Sequence, residues 1–288
     1  MSDPLSDFSW EGPPPPPLPR PSAWGTIAAW VRLLLAVLTT AALLLVYAPL
    51  KWIEPALGGR RPRARVQQFW ARCMAALVGL EIRRQGRAMP HGGAIVANHA
   101  SWSDILVLLG AARITFVSKA EVRSWPGIGW LAEFCGTVFV ERKRSAAKAQ
   151  EEELKSRMKR GERLLFFPEG TSTDGRRVLP FRSTLYAAFV SEELRDIAWV
   201  QPVSVIYRPN PGSALPDTFY GWWADMEFGA HVWQLLSLSF GGVAEVIFHD
   251  PIPVSQMPDR KRLAKASGEA VANGLQEALD RPRLRPES

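Results

Sequence analysis

Apolar positions along the chain follow a different pattern in each of its regions. The first region is one continuous run over residues 26–50, TIAAWVRLLLAVLTTAALLLVYAPL, with no charge from Leu33 to Leu50. At a helical rise of ~1.5 Å those residues reach roughly 27 Å, about the thickness of a bilayer core. Arg32 stands near the upstream end, where its side chain can snorkel to head groups, and Trp30 and Tyr47 stand where interfacial aromatics belong. Spanning the bilayer, lying in its interface and burial in a soluble core all fit this pattern. A cleaved signal peptide fits badly, because the run is long, starts late and follows an acidic leader (Asp3, Asp7, Glu11). The flank after the run is basic, with Lys51, Arg60, Arg61, Arg63 and Arg65, which places the rest of the chain in the cytoplasm by the positive-inside rule.

Next comes a shorter amphipathic stretch at 66–80. Phe69, Trp70, Cys73, Met74, Leu77 and Val78 recur there at helical spacing. This helix is too short and too polar at its start to span, and is expected to pack against the first or to dip into one leaflet. From about residue 90 short β-type runs alternate with helical ones. The strands are expected at 94–97, 114–117, 137–140, 164–167, 199–207 and 244–248, and helices near 103–112, 145–160, 182–195 and 260–279. Such alternation predicts an α/β fold, a sheet with helices on its faces. The charged stretch 141–163 sets Glu151, Glu152 and Glu153 ahead of Lys155, Arg157, Lys159 and Arg160, which suits a solvated helix. Residues 1–24 contain the unbroken run Pro13 to Pro17 and are expected as a disordered, proline-rich tail. The expected organisation is that tail, a membrane-anchoring helical segment at 25–80, and an α/β domain at 81–288.

Composition narrows the partners. The chain of 288 residues has 35 Lys+Arg against 28 Asp+Glu, a net charge of +7, which suits an anionic membrane, a phosphorylated substrate or nucleic acid. Its 2 cysteines, Cys73 and Cys135, lie far apart and form no CxxC pair, so a reducing compartment is expected. The 4 histidines, His91, His99, His231 and His249, show no H-E-x-x-H spacing, and no metal site is expected.

The chemistry-bearing stretches fall at expected strand ends. In NHASWSD, His99 lies in a turn and Asp104 in the first helical turn after it, with Ser101 as N-cap. There Asp104 can hold one imidazole nitrogen and leave the other as a base, or it can merely stabilise the helix start. In FPEGTST, Glu169, Gly170 and Thr171 make a tight polar turn in which Gly170 can take positive φ and bring N–H groups near an anion. In GTVFVER, Arg142 leaves a strand end, where open α/β sheets bind ligands, and can grip a phosphate with two bonds or stand solvated. In VQPVSV, Pro202 reads as an edge or a strand start. A serine hydrolase would need a G-x-S-x-G elbow, which does not occur, and Cys135 lies in an apolar stretch that suits a structural thiol.

In this order the stretches NHASWSD, VFVER, FPEGTST and QPVSVIY resemble the four blocks of the lysophosphatidic acid acyltransferase family, with its H-x4-D signature, over about residues 80–210. Glu141 departs from that pattern, since many members carry Asp before the arginine. The stretch WWADME with His231-Val232-Trp233 lies outside the blocks and looks like a bacterial branch that includes lyso-ornithine lipid acyltransferases. The resemblance implies a mixed sheet flanked by helices on a membrane anchor, at the cytoplasmic face of the inner membrane. It implies acyl transfer from acyl-CoA or acyl-carrier protein to a lysolipid, first 1-acyl-glycerol-3-phosphate and alternatively lyso-ornithine lipid. A membrane-binding protein with an inert acyltransferase fold is the alternative of another class. His99 and Asp104 are the implied catalytic pair, and Arg142, Lys119, Glu169, Gly170 and Thr171 the implied substrate-binding residues. No prosthetic group is implied, because the thioester is already activated, and no nucleic-acid partner is expected.

Overall fold

The computed structural model describes residues 12–57, 62–124, 128–140 and 144–281. Helices are α1 (Ala23–Ile53), α2 (Pro62–Leu77), α3 (Asp104–Ala111), α4 (Ile128–Phe134), α5 (Arg144–Lys159), α6 (Phe228–Leu238) and α7 (Arg260–Asp280). Strands are β1 (Leu80–Gln85), β2 (Gly93–Ala97), β3 (Thr115–Lys119), β4 (Val138–Val140), β5 (Arg163–Phe166), β6 (Trp199–Arg208), β7 (Gly242–Phe248) and β8 (Ile252–Pro253).

The strands form one mixed sheet in the order β1-β7-β6-β2-β5-β3-β4, with β8 beside the start of β6. Strands β6, β2, β5, β3 and β4 run parallel, and β7 is antiparallel to β6. Period-two alternation sorts side chains to the two faces. Ile95 and Ala97 join the core under α2, α3 and α6, whereas Ala94 and Val96 join the core under α7. Buried on both faces, β2 is apolar throughout, as a parallel central strand must be. The C-terminal ends of β2, β3 and β5 share one edge of the sheet, and the candidate stretches hang from that edge.

Pro202 sits inside β6 rather than at an edge. Its carbonyl accepts from His249 N at 3.0 Å, so its ring nitrogen faces the break between β7 and β8, where no ladder bond is lost. The helix expected at 182–195 is replaced by a 3-10 turn at Ser183–Tyr186 and further turns. Arg182 N is tied to Pro168 O, and the Tyr186 hydroxyl to Ser267, which compresses the segment into successive three-residue closures. Strand β1 and helix α6 were not expected from the hydrophobic pattern.

Helix α1 is docked along its length. Arg32 does not reach outward: its guanidinium donates to Leu236 O and Ser239 O, both at 2.8 Å, and lies over the Phe240 ring. The last carbonyls of α6 lack helical partners and carry partial negative charge, so they are good acceptors for a cation. Trp30 meets Trp233 edge-on, Thr40 accepts from the Trp70 indole, and Tyr47 packs on Phe134. The opposite face is apolar and exposed, with Leu34, Val37, Leu38 and Leu45 all more than half accessible. Residues 12–21, expected within a disordered tail, are laid on the domain. The buried Trp223 indole needs an acceptor and finds Pro13 O at 3.1 Å, and Leu18 packs on the main core.

Arg32→Met keeps the apolar stem but strands those two carbonyls. It is expected to lower unfolding free energy in detergent by about 1–3 kcal/mol, the cost of lost bonds to a charged group. Limited proteolysis should then cut α1 sooner, and a variant as stable and as resistant as the parent would rule out this clamp.

Candidate active site

His99 and Asp104 meet at the end of β2. The His99 Nδ1 lies 2.7 Å from Asp104 Oδ2. Because a carboxylate only accepts, Nδ1 carries the proton and Nε2 is the nitrogen left for chemistry. The same oxygen accepts from Ala100 N at 2.8 Å and Ser101 N at 3.0 Å. The cap differs from the sequence reading: Ser103 is the N-cap and Asp104 the first helical residue, reaching back to hold the loop. The other carboxylate oxygen accepts from the Tyr207 hydroxyl at 2.6 Å, and that hydroxyl accepts from Ser103 Oγ at 3.1 Å. The Asp104 side chain is fully buried, whereas His99 keeps 21% of its side chain accessible. Its ring stacks on Phe167 at 4.1 Å. The neighbouring Asn98 stitches β2 to β6 through both its oxygen and its nitrogen on Val205.

Glu169 is 1% exposed and stands behind the loop. Its two oxygens accept from His99 N and Leu179 N, each at 2.7 Å. Burial pushes its carboxyl up to about 8, against the pull of those two N–H bonds. Glu169, read from the sequence as a substrate-binding residue, spends both oxygens on backbone N–H groups of the two neighbouring segments. Gly170 adopts φ +79°, as expected for the turn, but its N–H donates to Phe167 O. A side chain on it would collide with the Arg182 guanidinium, which packs against the glycine. Thr171 is half-buried on the same turn, and Thr173 closes the loop by donating its N–H to His99 O at 2.9 Å. Lys119 ends β3 on the same edge of the sheet. Arg142 lies outside the described residues. Cys135 is buried and its thiol is pushed up to about 12, so it offers no thiolate. Among the described residues no three His, Cys, Asp or Glu side chains gather as metal ligands.

The stretch 219–233 buttresses the histidine loop from outside the four blocks. Trp222 N donates to Ala100 O at 2.8 Å. The Trp102 indole donates to His231 Nδ1 at 2.9 Å, and Nε2 of that ring faces Phe219 O at 3.4 Å. His231 is therefore neutral, and burial lowers it to about 4. Sequence reasoning missed this role of His231 and that of Tyr207, although both stand in quoted stretches, His231 in His231-Val232-Trp233 and Tyr207 at the end of QPVSVIY.

The matching protein family is described as Acyltransferase and covers residues 79–205. The chain is 44% identical over 268 residues to a lyso-ornithine lipid O-acyltransferase of Rhodobacter capsulatus, covering 92% of this chain and 96% of that protein. It is 36% identical to a lyso-ornithine lipid O-acyltransferase of Brucella abortus, covering 86% and 96% of the two chains. The crystal structure of the 1-acyl-sn-glycerophosphate (LPA) acyltransferase PlsC from Thermotoga maritima shares the fold, with a TM-score of 0.57 and 23% identity, over 89% of this chain and 100% of that one.

A histidine held neutral in the fold costs stability once the unfolded chain can take a proton. The native form binds that proton only near pH 4, so stability present above pH 6.5 falls as pH drops through that window. Between pH 7 and 5 the loss should be about 2 kcal/mol. Denaturant unfolding of wild type and His231→Gln at both pH values checks this. The variant should lose clearly less on acidification, and equal losses would contradict the neutral ring.

Proposed function

This chain belongs to the acyltransferase family and is an enzyme of the lysolipid O-acyltransferase type; from that premise we propose that its acceptor is lyso-ornithine lipid, with a thioester, acyl-CoA or acyl-carrier protein, as donor. The sequence reading ranks lysophosphatidate first. The weight moves because the relatives matched over nearly their whole length are named for lyso-ornithine lipid.

The observation that carries the mechanism is the 2.7 Å contact between His99 Nδ1 and the buried Asp104 carboxylate. In this reading His99 Nε2 takes the proton of the lysolipid hydroxyl as its oxygen attacks the thioester carbonyl. Asp104 favours the imidazolium that forms. The tetrahedral adduct collapses, the C–S bond breaks, and the imidazolium returns its proton to the leaving thiolate. No metal or prosthetic group enters this reaction. Arg142 and Lys119 are proposed to meet the acceptor's anionic group, a carboxylate in lyso-ornithine lipid and a phosphate in lysophosphatidate. Because the Gly170 N–H is engaged with Phe167 O, the turn's contribution is to place His99 through Glu169.

We further propose that α1 lies in the interface at the cytoplasmic face of the inner membrane. Its upstream half docks on α6 and its downstream half on α2 and Phe134, which supports a helix held flat against one domain. The exposed apolar face, together with Phe69 and Trp130, then enters the lipid. Leu34→Glu with Leu38→Glu should release most of the protein from anionic vesicles in flotation, without loss of fold. Undiminished flotation would rule out this face as the anchor.

The acceptor is tested by offering the purified enzyme equal concentrations of both lysolipids with one labelled acyl-CoA and weighing the products. A site matched to one head group strands its polar partners with the other, so kcat/KM should favour lyso-ornithine lipid by at least about tenfold. His99→Ala should lower turnover by about 10²–10⁴-fold on either acceptor. A preference for lysophosphatidate would reverse the acceptor assignment, and an active His99→Ala enzyme would sink the mechanism.

A further inference from the structure

We propose that Tyr207 is a positioning residue for the reaction: its hydroxyl, itself bonded by Ser103, fixes the rotation of the Asp104 carboxylate and so sets the orientation and basicity of His99. This rests on the reading of His99 and Asp104 as the acyl-transfer pair. The Asp104 Oδ2 is shared among His99 Nδ1, Ala100 N and Ser101 N, all from its own loop. Oδ1 is held by Tyr207, on a strand 103 residues away, at 2.6 Å. Ser103 Oγ donates to the tyrosine oxygen at 3.1 Å, which sharpens that hydroxyl as a donor. Tyr207 is buried, stacked on Tyr220 at 5.6 Å, so the hydroxyl has a fixed direction. Burial and the Asp104 charge hold it protonated well above its ordinary range, so it remains a donor at any working pH.

The titratable groups facing this cluster are His99 and Asp104 from the β2–α3 loop and Tyr220 beside Tyr207, with Arg32 beyond it. Glu169 faces Asp104 from the turn after β5, and Asp174 faces Glu169. None of the others donates a hydrogen bond to Oδ1. Without the tyrosine hydroxyl that oxygen would be a buried, uncompensated acceptor. A carboxylate so exposed to low dielectric draws positive charge more strongly.

Tyr207→Phe keeps the ring and removes only the donor. It is expected to lower kcat roughly tenfold or more, the scale of one lost bond to a charged group, with KM for the lysolipid little changed. The acidic limb of the kcat/KM profile should also move to higher pH by about half a unit or more. A role in packing alone would leave that limb in place. Ser103→Ala provides a second reading should the phenylalanine variant fold poorly, because it leaves Tyr207 standing and only weakens its bond. It should shift the limb in the same direction by a smaller amount. An unmoved acidic limb with unchanged kcat in Tyr207→Phe, or an unmoved limb in Ser103→Ala where only that variant folds, overturns the proposal. Transfer by the wild-type enzyme and its loss in His99→Ala decide the dyad reading separately.

Discussion

A carboxylate with no access to water must be neutralised by its neighbours, and Asp104 organises the catalytic edge of this molecule on that condition. Its burial is tolerable because four donors converge on it: an imidazole, two backbone N–H groups and a phenol. Meeting that demand fixes the path of residues 99–104 and ties the loop to β6. It also points one histidine nitrogen at the carboxylate and leaves the other for chemistry. Removing any one donor leaves part of a buried charge unpaired, a far larger penalty than an exposed ion pair would incur.

The surroundings repeat this logic one layer out. Glu169 accepts from His99 N and Leu179 N, which ties the turn after β5 to the turn after β2. Thr173, from the same turn as Glu169, and Trp222, from a further segment, hold His99 O and Ala100 O. The loop carrying the proposed base is thus fixed on both its carbonyl and its amide side. Rigidity of this kind is what a general base requires, since a small misplacement costs orders of magnitude in rate. On the helical side, Arg32 clamps α1 to the end of α6, and α6 carries His231, which braces Trp102 within the same loop. Helix α1 and the loop carrying His99 are therefore linked through α6 by these two sets of contacts.

Much of this was legible in the sequence because its signals are local. The five-residue spacing of His99 and Asp104, the glycine of the FPEGTST turn and the long uncharged run each announce themselves within a few positions. The α/β class followed from alternating runs, and the mixed sheet was implied by the family resemblance. What was not legible depends on distance. Tyr207 in an apolar strand reads as core until Asp104 is seen beside it, and Arg32 reads as a snorkelling cation until the α6 carbonyls are. The partners of Glu169 are backbone N–H groups, which no sequence displays. Strand β1, LEIRRQ, escaped because only Leu80 in it is fully buried, and charged side chains hide its period.

In the proposed mechanism the buried Asp104 charge drives proton removal by His99. Single-turnover acyl transfer to lysolipid by Asp104→Asn tests it most directly, because asparagine keeps the shape and loses the charge. The variant should be a folded, membrane-bound protein whose transfer step is slowed by about 10²-fold or more while lysolipid binding persists. A transfer step within a few-fold of wild type would contradict it.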